Sequence, residues 1–341
     1  MFWRHVDRVE SVPVNQEERE DEHGIVSDTV TELEGLTAEQ RQLVSGRVKT
    51  LGEQADRARL IAERLGTPTH CAHGGSATVV RFGYSAGQQR FRCKDCGKTF
   101  MALTGTPVQR LREREKWVAY TDCLSQGLTL RASAAAVGLT VDRAFRWRHR
   151  FLECLAEQRP TGLTGLVEAD ETLFRRSFKG QRHGLPRAAK SRGGPAAEGT
   201  AGEHVSVWVA MQRGTRLATD QVLSDGSATA MTAVLRPAVA PDAVLSTDGN
   251  PSYRVVATAL GIGAGRFVAS YDGHGGDGVW HVQNVNADDR RLKGWMARFH
   301  GVATQYLHHY LGWRRLLDRF QDTVTPQQFL FHALRQEYIN I

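Results

Sequence analysis

Four side chains in the C-terminal half of the sequence could together handle a phosphodiester: Asp170, Asp248, Asn286 and Lys293. Two carboxylates and an amide carbonyl offer only hard oxygen ligands, the donor set that Mg²⁺ or Mn²⁺ takes. One or two such ions would activate a water or a 3′-hydroxyl and stabilise the leaving oxygen. Asn286 and Lys293 are seven residues apart, two helical turns, so on a helix they project from one face. A flexible lysine there suits a phosphate near the cleavage point. Spacings of 78 residues from Asp170 to Asp248 and 38 from Asp248 to Asn286 are compatible with convergence at one sheet edge. A plainer reading of Lys293 is a helix-surface pair with Asp289, four residues before it, contributing roughly 0.2–0.5 kcal/mol.

A second constellation is a soft one. Cys93-x-x-Cys96 is followed by Gly97 and preceded by the short strand-like run QQRFRC, the pattern of a knuckle whose two thiolates converge on one tetrahedral ion. Cys71 lies one hairpin upstream, but three residues after it stands Gly74, so the second upstream thiolate is missing. His70 or His73 could supply the fourth ligand, and His73 is the better placed. The expected Zn²⁺ set is Cys71, His73, Cys93 and Cys96, with a ribbon that folds without metal as the alternative. Cys123 and Cys154 read as buried thiols. A third constellation is basic: VDRAFRWRHRFLECL carries Arg143, Arg146, Arg148 and Arg150 within one helical window. Phe145, Trp147 and Phe151 in the same window read as at least partly core.

The elements that must carry these residues follow from periodicity and breakers. Residues 1–40 form an acidic arm, read as disordered. A helical segment occupies 41–67, opened by Thr37 and stopped by Pro68. Residues 68–104 read as a zinc-ribbon-like hairpin. Residues 110–158 give three helices with the turn GLT before the last, a helix-turn-helix whose third helix would meet DNA. After a Pro/Gly linker, residues 166–325 open with three antiparallel strands, LVEADETLF, HVSVWVAMQ and RLATDQVL. A helix, a buried strand ending at Asp248, a short helix, a strand near Arg266–Ser270 and a late helix starting near Asn286 complete them. Two long loops, roughly 178–202 and 271–280, interrupt this order. Leu292, Trp295, Met296 and Phe299 supply the late helix with an apolar stripe, and Arg290, Arg291, Lys293 and Arg298 its basic face. Residues 326–341 read as a tail. The element order is that of a multidomain α/β protein with an RNase H-like catalytic domain.

Composition narrows the function class. The net charge of +7 conceals 3 Lys/Arg against 11 Asp/Glu in residues 1–40, and 41 against 26 in the remainder. A basic body fits a polyanionic partner, since each neutralised phosphate releases counterions. No run of about eighteen apolar residues exists, so no membrane span is expected. Five unevenly spaced cysteines argue against a disulfide framework and for a reducing cytoplasm.

The phrases VEADET, STDGN and HVQNVNADDRRLKGWMARFHGVATQYLHHYLGW, together with ribbon and helix-turn-helix, resemble insertion-sequence transposases with a DDE-type catalytic domain. The resemblance is to the insertion-sequence family numbered fifteen ninety-five and covers roughly residues 65 to 325. It implies a metal-bound triad of Asp170, Asp248 and Asn286, with Lys293 as the basic residue seven positions on. Relatives carry Glu or Asn at the third position. The implied activity is binding of double-stranded DNA at terminal inverted repeats, cleavage there, and joining of 3′-hydroxyls to target DNA. A homo-oligomer on DNA, at the nucleoid, is the implied working form. Two departures stand out: neutral Asn286, for which Glu168, Glu171 or Asp288 could compensate, and Gly74 in place of a ribbon cysteine. The alternatives are a decayed or domesticated DNA-binding regulator and a structure-specific nuclease on the same fold.

Overall fold

A computed structural model describes residues 33–85, 88–181, 183–185, 203–215, 217–266 and 280–334. Most of the acidic arm, and most of both long loops, therefore lie outside the described residues. The chain divides into two compact units, residues 1–56 and 57–341. Helix α1 (Ala38–Leu65) opens on a reciprocal cap, in which the Gln40 amide donates to the Thr37 hydroxyl (3.3 Å) and the Thr37 amide to Gln40 Oε1 (2.9 Å).

In the second unit, β1 (Val79–Ser85), β2 (Gln88–Cys93) and β3 (Thr99–Met101) form an antiparallel sheet over a small core of Cys71, Phe91, Cys93 and Phe100. Three helices follow: α2 (Trp117–Ser125), α3 (Leu130–Val137) and α4 (Val141–Glu157). The turn between α3 and α4 explains their close sequence spacing. Gly138 ends α3 in the left-handed region (φ 65), and Thr140 caps α4 by accepting from the Arg143 amide at 3.3 Å.

A five-stranded sheet has the order β6-β5-β4-β7-β8: β4 (Leu166–Arg175), β5 (His204–Gln212), β6 (Ala218–Val222), β7 (Val244–Thr247) and β8 (Gly263–Arg266). The first three strands are antiparallel neighbours, and β7 and β8 run parallel to β4. Beyond Arg266, the strand expected near Arg266–Ser270 lies outside the described residues. α5 (Ala228–Ala238) and α6 (Pro251–Leu260) cover one face through Val167, Ala169, Trp208 and Leu245. α7 (Gln283–Ala297) and α8 (Leu307–Arg319) cover the other, against Val205, Val207 and Val209.

The second core does not stop at the sheet. It continues through Leu292, Trp295 and Trp313 into Trp117, Tyr120, Phe151 and Leu152 of the three helices. At Gly312 of α8 a Cβ would stand 2.4 Å from the Leu155 carbonyl oxygen of α4, so only glycine permits this approach. The three-helix segment and the sheet are one packed body, where the sequence suggested separate domains. The expected tail is also corrected. α9 (Pro326–Ala333) has a full capping box at Thr325 and Gln328, and buries Phe329 and Leu330 in that shared core.

Candidate functional site

The β4–β7 register brings the two aspartates together. Glu168 pairs with Ser246 and Ala169 with Thr247, so one further step along the parallel strands sets Asp170 beside Asp248. Neighbouring strands lie about 4.8 Å apart. Asp248 begins a tight turn. Its carboxylate accepts from the Asn250 amide at 3.0 Å, Gly249 takes φ 95, and Asn250 caps α6 through the Ser252 amide. Asp170 accepts from the Glu171 amide at 2.8 Å. Burial raises the Asp170 pKa above the ordinary carboxylate range and the Asp248 charge adds to it, while the Glu171 amide and the Lys293 ammonium hold it down.

α7 is held across these strands at both ends. Glu168, fully buried on the same pleat face as Asp170, accepts from the Asn284 amide (2.9 Å), the Val285 amide (3.2 Å) and the Asn284 side chain (2.7 Å). It therefore satisfies the helix N-terminus from a strand 116 residues away, where α7 has no side-chain cap of its own. Arg213 neutralises it at 2.9 Å and also donates to the His281 carbonyl, which the Ser246 hydroxyl meets at 2.8 Å. Past the other end, the Lys179 ammonium donates to the carbonyls of Phe299, His300 and Gly301 at 2.8–3.1 Å. The helix starts at Gln283, three residues before the expected Asn286. Asn286, Asp289 and Lys293 then share one stripe, with Asp289 on its buried edge at 7% exposure and Lys293 exposed.

Of the residues offered as substitutes for a third carboxylate, two are engaged elsewhere. Glu168 anchors the helix, and Asp288 pairs with Arg291 at 2.9 Å. Glu171 sits on the opposite pleat face, beside Tyr253 and Asn250. Asp289, overlooked in the sequence except as a partner of Lys293, is coupled to both Asp170 and Lys293.

The knuckle residues converge only in part. Cys71, Cys93 and Cys96 bring their sulfurs within 4.8 Å of one another, with Cys71 and Cys96 at 3.6 Å. A tetrahedral zinc with Zn–S bonds of 2.3 Å separates its ligand sulfurs by about 3.8 Å. Two matching turns make the cluster: the Gly75 amide donates to the Cys71 carbonyl and the Gly97 amide to the Cys93 carbonyl, both glycines at φ 69. The backbone amide of Cys96 draws the Cys93 thiol down to about 7. His73 is corrected: its backbone amide donates to Cys71 Sγ at 3.4 Å, but its Nε2 lies 3.5 Å from the Thr99 carbonyl, outside the cluster. A Cβ at Gly74 would meet nothing within 4 Å. The donor set fits three corners of a zinc site.

Residues 162–314 match the family model of the ISXO2-like transposase domain. A protein of transposable element ISH50 from Halobacterium salinarum, itself described as uncharacterized, is 27% identical over 271 residues, 77% of this chain and 90% of that protein. These matches support an insertion-sequence transposase of the IS1595 family. Among solved structures, a pre-cleavage Mos1 transpososome is similar at 12% identity and TM-score 0.22, covering 69% of this chain and 82% of that one. The Mos1 strand transfer complex gives 15% and 0.21, covering 60% and 76%. Scores this low leave the fold resting on the transposase's own strand order.

The arginines of α4 separate into two kinds. Arg148 is corrected as a DNA ligand, because it is 1% exposed, donates to the Leu128 carbonyl (2.8 Å) and Ser133 hydroxyl (3.1 Å), and lies 5.0 Å over the Trp313 ring. Arg143, Arg146 and Arg150 instead line an open cleft of about 750 Å³ with Arg110, Arg112, Phe145 and Tyr306. Arg143 pairs with Glu113 and Arg146 with Asp142, leaving the cleft basic in balance. Among the described residues no helix is long and apolar enough to cross a membrane.

Proposed function

We propose that this transposase binds the ends of its element as double-stranded DNA and cleaves them with Mg²⁺ or Mn²⁺ held by Asp170, Asp248 and Asn286. The order β6-β5-β4-β7-β8, with three antiparallel and two parallel strands, supports an RNase H-like reading of the catalytic part. What supports the proposal is the register that sets Asp170 beside Asp248, together with a helix on one stripe of which Asn286 and Lys293 lie and whose Lys293 charge reaches Asp170. Divalent ions there supply a lowered barrier for attack on phosphorus and charge for the leaving oxygen. The chain's own residues then divide the work. The aspartates orient from rigid strand ends, Glu168 and Lys179 fix the helix over them, and Lys293 meets the phosphate as a point charge. Water attack breaks the bond to the 3′-oxygen at the element's end. The released 3′-hydroxyl then attacks a target phosphodiester and displaces its 3′-oxygen.

α3 and α4, joined by their short turn, read as a helix-turn-helix, with Arg143, Arg146 and Arg150 on phosphates or base edges. Cys71, Cys93 and Cys96 would hold one Zn²⁺ and fasten the ribbon, a structural role in which metal affinity is folding free energy. Homo-oligomerisation on DNA at the nucleoid belongs to the same proposal. The test is strand cleavage of duplexes carrying the element's inverted repeats. Asp170→Ala should abolish cleavage and leave end binding in gel shifts intact, whereas undiminished cleavage would reject the site. Alanine at Arg143, Arg146 or Arg150 should weaken binding and flatten its salt dependence by about one phosphate each. Unchanged salt dependence would reject that surface.

A further inference from the structure

Asn286 gives the site one carboxylate fewer than a third acid would. The structure offers a carboxylate one turn further along the same stripe. Asp289 is 7% exposed, and its Oδ1 is buried with no hydrogen-bond partner among the described residues. Thr172, 1% exposed on the same pleat face as Asp170, has its hydroxyl close enough to draw the Asp289 pKa down, but without hydrogen-bond geometry. A buried anionic oxygen without a donor costs more than an unpaired neutral group, and native structures hold such groups where an ion or water completes them. The position is not explained by the helix-surface pair with Lys293, because Lys293 is exposed while Asp289 is not. Nor does Asp289 cap or anchor α7, since Glu168 and Lys179 do so at its two ends.

We propose that Asp289 is a metal ligand of this site, supplying from the next turn of α7 the carboxylate that Asn286 lacks. The proposal rests on the assignment of Asp170 and Asp248 above. With both aspartates and Asp289 ionised, the site holds three negative charges around the divalent ions, and Asn286 contributes its carbonyl.

The test is Mn²⁺ binding to the full-length protein, read by electron paramagnetic resonance, with Asp289→Asn and Asp170→Asn compared. Asp289→Asn should weaken Mn²⁺ binding about tenfold or more. In the metal-free protein it should leave the melting temperature unchanged or higher, because an unpaired buried charge is removed. Moving the carboxylate back, in Asp289→Asn with Asn286→Asp, should restore the affinity. Unchanged Mn²⁺ affinity in Asp289→Asn, with loss in Asp170→Asn, overturns the proposal and leaves the site intact. Unchanged affinity in both rejects the site itself. If Asp289→Asn does not fold, Asp289→Cys decides instead. It should bind Cd²⁺ more tightly than wild type while losing Mg²⁺ affinity, and wild-type Mg²⁺ and Cd²⁺ affinities would overturn the proposal.

Discussion

Glu168 is predicted to matter through position, not through metal. Its side chain is fully buried and accepts four hydrogen bonds, one from the Arg213 guanidinium and three from Asn284 and Val285 at the start of α7. Glu168→Ala leaves the Arg213 charge and two helix amides without their acceptor. Breaking a buried pair on one side costs about 3–5 kcal/mol. At roughly 2 °C per kcal/mol for a unit of this size, the melting temperature should fall by about 6–10 °C. Glu168→Gln keeps one acceptor oxygen for the helix amides but turns an amide donor toward Arg213, so a loss of about 1–3 kcal/mol is expected. Cleavage should fall in both, because α7 no longer holds Asn286 and Lys293 in place. Calorimetric melts of the full chain give the stability, and Mn²⁺ titration of Glu168→Gln should return the wild-type number of ions. A Glu168→Ala protein that melts with wild type would refute the anchoring role. So would a Glu168→Gln protein that loses an ion at unchanged stability.

Gly312→Ala places a Cβ 2.4 Å from the Leu155 carbonyl oxygen, so α8 must back away from α4. A destabilisation of roughly 1–3 kcal/mol should appear in denaturant melts, and wild-type stability would mean that the two helices part freely. Gly74→Cys has open space for its side chain and should complete a four-thiolate knuckle, raising zinc affinity in competition with a chelator. Equal affinity would show that Gly74 does not occupy the fourth corner. Metal-free stability should also depend on pH. Burial raises the folded pKa of Asp289 to about 6 and of Asp318 to about 7, from an ordinary 3.8. The folded state therefore binds these protons more tightly. Their contribution is complete below about pH 4 and is lost as pH rises through 6 to 7. Asp289→Asn should flatten the lower part of that slope in melts from pH 4 to 8, and an unchanged slope would contradict the assignment.

The paired aspartates were legible because an acid in the middle of an apolar strand is conspicuous, and because strand order sets which strand ends meet. The stripe of α7 was legible from its 3.6-residue period, and Leu292, Trp295, Met296 and Phe299 are all buried. Arg148 was misread because nothing local distinguishes it from Arg146. Its burial comes from Trp313 and Phe299, some 150 residues away, in a core shared between the three helices and the sheet. The anchoring by Glu168 is likewise long-range, joining a strand acid to helix amides that carry no sequence signal. His73 stands at knuckle spacing, yet its ring turns to the Thr99 carbonyl, an orientation that spacing does not encode. α9 could have been found: Thr325, Pro326 and Gln328 spell a capped helix start, followed by the apolar FLF.

Exchanging a ligand atom tests metal-dependent cleavage at the Asp170–Asp248 pair most directly. Asp248→Cys replaces a hard oxygen by a soft sulfur at the β7 end. Cleavage of the element's inverted-repeat duplex should be lost in Mg²⁺ and recovered in Mn²⁺, with end binding unchanged in both. Wild-type cleavage by Asp248→Cys in Mg²⁺, or failure of Mn²⁺ to restore it in a folded, DNA-bound protein, would contradict metal ligation by Asp248.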